Sequence, residues 1–209
     1  TGGARNYVEK ILAGVPDKRL NTPVRRIERD AAGVRVSTDQ GTEHFDHVVL
    51  ATHSDQSLAL LAQPTAQERE VLGAIRYQPN RAVLHTDPAL LPRDRKLWSA
   101  WNYFAAAGQP GEQPVGVSYL INKLQPLPFA TPVVVTLNPA REPDPAKVLA
   151  EFDYAHPIFD GPAIAAQQRL RALGNDIQGA GGIWLAGAWG SYGFHEDGLK
   201  SALRVAHGM

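Results

Sequence analysis

The sequence predicts an α+β fold, on three observations. Residues 23–46 alternate apolar and polar positions between two turn signals, which is the pattern of a three-stranded meander. Residues 77–139 hold four strand-like runs separated by Pro- and Gly-rich clusters, as in an antiparallel sheet. Residues 181–205 pass from a short apolar run (Ile183-Trp184-Leu185-Ala186) through a glycine-rich loop into helical spacing. That last stretch joins a strand, a turn and a helix with acidic residues in its first turn, so its free N–H groups form a ready site for an anion or dipole.

Taken in order, residues 7–12 fit a short amphipathic helix, stopped by Gly14-Val15-Pro16. Strands follow at 24–28, 34–38 and 42–45. Arg29-Asp30-Ala31-Ala32-Gly33 and Asp39-Gln40-Gly41 form the turns between them, and Gly33 suits a positive φ. Val48-Val49-Leu50-Ala51 is continuous rather than alternating, the mark of a strand covered on both faces, usually in a parallel sheet. Residues 53–61 read as a helix capped by Ser54 or Asp55, and Thr65 with Glu68 makes a capping box for the next. Four strands are predicted at 81–86, 98–104, 115–121 and 133–138, with turns at Asp87-Pro88, 108–114 and 126–132. Residues 144–151 suggest a short helix and 152–159 an irregular to extended segment. Residues 162–173 form a helix with Pro162 near its first turn and Gly174 closing it. The expected division is 1–76, 77–175 as a separate sheet serving as the substrate layer, and 176–209.

Composition excludes several classes. Lys plus Arg and Asp plus Glu both number 21, so the net charge is zero and a nucleic-acid partner is not expected. There is no cysteine, which removes disulfides, thiolate nucleophiles and Cys-based zinc sites and is compatible with a cytoplasmic location. No apolar run approaches the roughly 20 residues of a membrane span, and no signal peptide is visible. His195-Glu196 begins an HExxH pattern, but Leu199 stands where the second histidine belongs, so no metal is expected. Ser191 is preceded at minus two by Trp189 rather than the glycine of a nucleophile elbow. Neither a GxGxxG turn nor a Walker lysine is present.

Several stretches carry a family likeness: Gly2-Gly3-Ala4-Arg5-Asn6-Tyr7-Val8, Val24-Arg25-Arg26-Ile27, Asp46-His47-Val48-Val49-Leu50-Ala51-Thr52-His53, Trp101-Asn102-Tyr103 and Tyr154-Ala155-His156-Pro157. The most specific is the closing motif, Gly187-Ala188-Trp189 through Gly193-Phe194-His195-Glu196-Asp197-Gly198. On these residues the chain resembles the C-terminal half of FAD-dependent oxidoreductases of the flavin-containing amine oxidase superfamily, in a bacterial branch labelled NAD/FAD-binding or amine-oxidase-like. The resemblance implies that the α+β pieces are part of an α/β FAD-binding fold. It also implies that the GxGxxG unit lies in a segment preceding this one, so the chain is expected to be a fragment of a longer protein. FAD is expected on the full-length protein, and the fragment alone is expected to be inactive. Surface left open by truncation is an expected site of self-association.

The resemblance further implies residue roles. Val24 contacts adenine through its backbone, and Ala51 and Thr52 end a strand near the cofactor. Gly187 and Ala188 pass the ribityl–pyrophosphate region. Asp197, Gly198 and Leu199 present helix N-terminal N–H groups to the flavin C2 carbonyl and N1, where charge grows on reduction. Trp189, Phe194, His195 and Glu196 complete the cofactor set. Many relatives carry an acidic residue where Ala188 stands. His195, beside the flavin edge, and Lys123, matching a lysine that some amine oxidases place near N5, are the catalytic candidates. Trp101 and Tyr103 read either as sheet-packing aromatics or, with Tyr192, as the lining of a substrate pocket, and His156 reads as a structural hydrogen-bonding histidine. The implied reaction is hydride transfer from a substrate C–H to flavin. The substrate is a small amine or a lipid acyl chain, and the reading of another class is a non-catalytic binding module.

Overall fold

The computed structural model describes residues 3, 5–104, 116–173 and 179–209. The fold is α+β. The elements are α1 (Arg5–Ala13), β1 (Val24–Asp30), β2 (Gly33–Thr38), β3 (Gly41–Phe45), β4 (Val48–Leu50), α2 (Ser54–Leu60), α3 (Ala66–Gly73) and β5 (Tyr77–His85). They continue as β6 (Trp101–Phe104), β7 (Gly116–Leu120), α4 (Ile121–Leu124), β8 (Val134–Leu137), β9 (Val148–Pro157), α5 (Gly161–Leu173), β10 (Ile183–Leu185) and α6 (His195–Gly208). Gly2, Ala4, the turn at 108–114, Val115 at the head of the third run and Gly174 lie outside the described residues.

The chain divides into two compact units, Thr1–Lys18 with Pro79–His156, and Arg19–Gln78 with Pro157–Met209. Residues 1–18 therefore group with the antiparallel sheet, and 157–173 group with the closing strand and helix rather than with that sheet. The helix α5 shows why: Ala163, Ala166 and Leu170 are buried in the same core as Leu72, Ile183 and Trp189.

In the second unit β1, β2 and β3 form the expected meander. Gly33 sits at φ 140°, and a Cβ there would come within 2.6 Å of the Phe45 carbonyl oxygen, so the hairpin needs glycine. Asp30 Oδ1 accepts from Ala32 N–H at 2.8 Å and closes the two-residue turn. The capping box forms as expected, with Thr65 Oγ1 accepting from Glu68 N–H at 3.1 Å and Glu68 accepting from Thr65 N–H at 2.7 Å. The same buried Glu68 carboxylate pairs with Arg29, whose Nε donates to the Ala180 carbonyl at 3.0 Å. Helix α2 begins one residue earlier than the proposed caps: His53 is its N-cap, while Ser54 N–H donates to the Tyr77 hydroxyl at 3.0 Å. The strands β4 and β10 pair in parallel, with Val48, Val49 and Leu50 opposite Ile183, Trp184 and Leu185.

The first unit is built on a five-stranded sheet of order β6-β7-β8-β5-β9. The predicted helix at 144–151 is absent. Asp144 caps only one 3₁₀ turn, accepting from Ala146 N–H at 3.0 Å, and the chain then becomes β9. Local propensity yields to edge pairing beside β5, where Arg81 holds Glu151 at 2.9 Å and Glu142 at 2.8 Å. One sheet face buries Asn102, Ser118 and Thr136 as a cross-strand row. Thr136 Oγ1 lies 2.7 Å from Ser118 Oγ and 2.8 Å from Nε2 of the fully buried His85. Because Asp87 N–H donates to His85 Nδ1 at 3.1 Å, the ring proton sits on Nε2 and the imidazole is neutral. Burial pushes its pKa down.

Candidate functional site

Parallel strands present their carboxyl ends on one edge, and open α/β sheets bind ligands in the crevice outside that edge. Here Ala186 N–H donates to Leu50 O at 2.9 Å, so β4 and β10 end together. Beyond them Trp189 Nε1 donates to Thr52 O at 3.1 Å, which fixes the end of the β4 segment against the glycine-rich loop. Val24, Ala51 and Thr52, distant in sequence, come together as part of the lining of one open, apolar groove of about 620 Å³. Val49 also lines it and is 42% exposed. The run was expected to be covered on both faces. The parallel pairing is present, but the described residues provide only two strands and no layer over this face. Arg25 borders the groove, yet its guanidinium is held bidentately by Asp39 at 3.0 and 2.8 Å.

The glycine-rich loop is organised from inside. Gly187 has an extended φ of 165°, so backbone strain does not demand glycine there; a Cβ would lie 2.2 Å from Trp189 Nε1, so packing does. Its N–H donates to Ser201 Oγ at 2.9 Å, and Ser201 in turn donates to Gly198 O at 2.7 Å. Trp189 is buried, and Gln167 Nε2 on α5 donates to the carbonyls of Trp189 at 2.8 Å and Ser191 at 2.7 Å. Gly187 and Trp189 line a second cavity, of about 210 Å³, rather than the groove. Ala188 is half-buried, while Tyr192, Phe194 and Leu199 project from the surface.

At the start of α6, Asp197 Oδ2 accepts from Phe194 N–H at 3.0 Å, one arm of a capping box. The N–H groups of Asp197 and Gly198 both point to Phe194 O, at 3.0 and 3.2 Å. The expectation that Asp197, Gly198 and Leu199 offer their N–H groups outward is thus corrected for the first two, and Leu199 lies one turn inside the helix. Glu196 N–H, also in the first turn, has no backbone acceptor among the described residues, and its side-chain carboxylate pairs with Lys200 at 3.4 Å. His195 is the exposed first residue of that turn.

The remaining candidates lie in the first unit. Lys123, on α4, donates its ammonium to the Trp98 carbonyl, which ties it to a loop. Trp101 and Tyr103 share one face of β6, the latter 65% exposed, and Trp101 meets Tyr119 edge-on at 5.5 Å. Burial, then the neighbouring Tyr103, pushes the Tyr119 hydroxyl pKa up. Asn102 points the other way and bonds Ser99 and Ser118. His156 Nδ1 accepts from Asn80 Nδ2 at 3.0 Å. Among the described residues no three His, Asp or Glu side chains gather as a metal site.

Sequence reasoning missed Gln167 and Ser201, which hold the loop. A signal existed for the first: Ala163, Ala166, Gln167 and Leu170 share the spacing of one buried helical face.

The family model for flavin containing amine oxidoreductase matches residues 1–124, which include Val24, Ala51, Thr52, Trp101, Tyr103 and Lys123 but not the segment after β10. Solved structures match across nearly the whole chain. The CLA-producing fatty acid isomerase from P. acnes is 16% identical with a TM-score of 0.62, covering 98% of this chain and 51% of its own. Putrescine oxidase with bound putrescine is 13% identical at 0.56, covering 97% and 51%. Cyclohexylamine oxidase from Brevibacterium oxydans IH-35A is 14% identical at 0.53, covering 88% and 48%. These are likenesses of fold, and the chain spans about half the length of each. None of the curated proteins matches it.

Proposed function

The chain belongs to the flavin containing amine oxidoreductases, and from that premise we propose that it is the C-terminal part of an FAD-dependent oxidoreductase. The observation that carries the proposal is the groove along β4 and the residues that follow it, which gathers Val24, Ala51 and Thr52. Its apolar lining suits a planar ring system, and the open Glu196 N–H at the start of α6 suits a ring carbonyl. These features fit the two ends of FAD. Among the described residues Arg25 is held by Asp39 and Gly187 N–H by Ser201, so neither is open to the diphosphate. The donors for that group are assigned to sequence outside this chain.

When bound, flavin supplies the hydride acceptor. The chain's own residues orient and stabilise. Val24, Ala51 and Thr52 hold the adenosine end by contact. The backbone at the start of α6 contributes about half a positive charge, set against the Glu196 and Asp197 carboxylates of the same turn, of which Glu196 is paired with Lys200. Trp189 and Gln167 keep the loop rigid between strand and helix.

The substrate layer is assigned to the aromatic face of the antiparallel sheet, with Trp101, Tyr103 and Tyr119. That face has no carboxylate in its central rows, which favours an apolar acyl substrate over a cationic amine.

The test is colour and bleaching. The protein containing this chain, purified whole, is expected to be yellow and to release flavin absorbance on denaturation. Acyl lipids are expected to bleach it faster than amines. Colourless protein that takes up no FAD overturns the flavoprotein reading and favours a non-catalytic module. Flavin that bleaches with amines alone overturns only the substrate assignment.

A further inference from the structure

A cavity of about 210 Å³ lies in the second unit, bounded by α5, β10 and α6. Much of its wall is apolar, formed by Trp184, Leu185, Trp189 and Val205. Two cations also line it, Arg171 in the last turn of α5 and Arg204 one turn from the end of α6. Arg171 Nε donates to the Gln167 carbonyl at 3.1 Å, and among the described residues its two terminal nitrogens have no partner side chain. Among the described residues neither guanidinium has a carboxylate within ion-pair distance.

Two exposed cations at one small, largely apolar cavity suit an anion. The walls select among anions: a monocarboxylate sets its one charged end at the arginines and leaves an apolar body for the indoles, whereas phosphate offers no such body. Volume sets the body of the ligand. A dry cavity of about 150 Å³ accommodates benzene, so this one has room for a single ring or a short branched chain with a carboxylate. Indole walls favour such a body, and the planar guanidinium is suited to carboxylate.

We propose that this cavity binds a small monocarboxylate with a compact apolar body, of the benzoate class. The site is separate from the groove lined by Val24, Ala51 and Thr52, and the proposal does not depend on flavin. Trp184 and Trp189 in the wall make occupancy visible as a change in tryptophan emission.

The experiment is titration of the 209-residue chain with benzoate, followed by calorimetry and tryptophan fluorescence at low salt. Saturable one-to-one binding is expected. Benzyl alcohol, the uncharged isostere, is expected to bind at least about tenfold more weakly, the loss of one charge-assisted hydrogen bond. Inorganic phosphate at equal concentration is expected not to displace benzoate. Arg171→Gln and Arg204→Gln should each weaken benzoate by about the same factor while far-ultraviolet circular dichroism stays unchanged. Absence of saturation, equal affinity for benzyl alcohol, competition by phosphate, or undiminished binding in the double variant each overturns the proposal. The comparison with benzyl alcohol is made on the unaltered chain, so it decides the matter even where a variant misfolds.

Discussion

The two sheets of this molecule handle polarity in opposite ways. In the parallel pair β4–β10 the inward side chains are apolar, and polar contacts occur at the strand ends, where backbone groups meet Trp189, Gln167 and Ser201. In the antiparallel sheet one face buries a polar row, Asn102, Ser118 and Thr136 with His85, and the other exposes aromatics. The first design leaves backbone ends and an open groove available to a ligand. The second locks strand register with side chains that cannot serve a ligand at all, because they are consumed by each other. A sheet that binds through its ends can be damaged at one anchoring residue; a sheet held by a buried polar row is damaged by changing protonation.

Trp189 is the sharpest point at which to break the first design. It is 5% exposed, packs in the main core of its unit and donates to Thr52 O. Trp189→Ala is expected to lose about 3–5 kcal/mol, through the cavity left and the unbonded Thr52 carbonyl. Urea unfolding followed by circular dichroism measures this. A loss below about 1 kcal/mol would mean that the loop is not anchored from inside.

The second design is tested by acid. His85 is buried neutral and its pKa is depressed by burial. Below the unfolded value of about 6.5 the unfolded chain takes up a proton that the folded chain refuses, so stability falls as pH falls, by up to about 1.4 kcal/mol per unit until the folded pKa is reached. The urea midpoint is expected to drop between about pH 6.5 and 5, before carboxylates titrate. In His85→Gln, uncharged throughout, that slope should vanish. A flat midpoint in the unaltered chain would show that the polar row does not depend on a neutral imidazole.

These two regions also differ in how far the sequence reveals them. The meander and the Thr65–Glu68 capping box were readable because their partners lie within a short stretch, and the β4 run because its composition is continuous and apolar, although its partner β10 is distant in sequence. Thr136 and His85 are 51 residues apart, so nothing short-range announces their bond. Residues 144–151 read as a helix, yet only one 3₁₀ turn forms and the chain from Val148 becomes β9 because β5 offers an edge. An aromatic in a glycine-rich loop reads the same whether it faces a ligand or the core. Trp189 proved buried, while Tyr192 next to the same loop is 79% exposed. No local pattern links Val24 with Ala51 and Thr52; the family resemblance set each of them near a cofactor, and the structure brings the three to one groove.

Val49 separates the roles of the groove from those of the core. All three residues of β4 border the groove, but Val48 and Leu50 also pack in the core of the second unit, whereas Val49 is 42% exposed. Val49→Lys keeps its β-strand pairing with Trp184, since only backbone groups take part. At an exposed position away from core packing its effect on stability should stay within about 0.5 kcal/mol. The same substitution puts a long cationic side chain into an apolar groove next to Ala51 and Thr52. In the whole protein it is expected to abolish flavin retention, read as the ratio of flavin to protein absorbance after gel filtration. Retention at the unaltered ratio would move the cofactor off this face, while a large fall in the urea midpoint would show that the groove is part of the core.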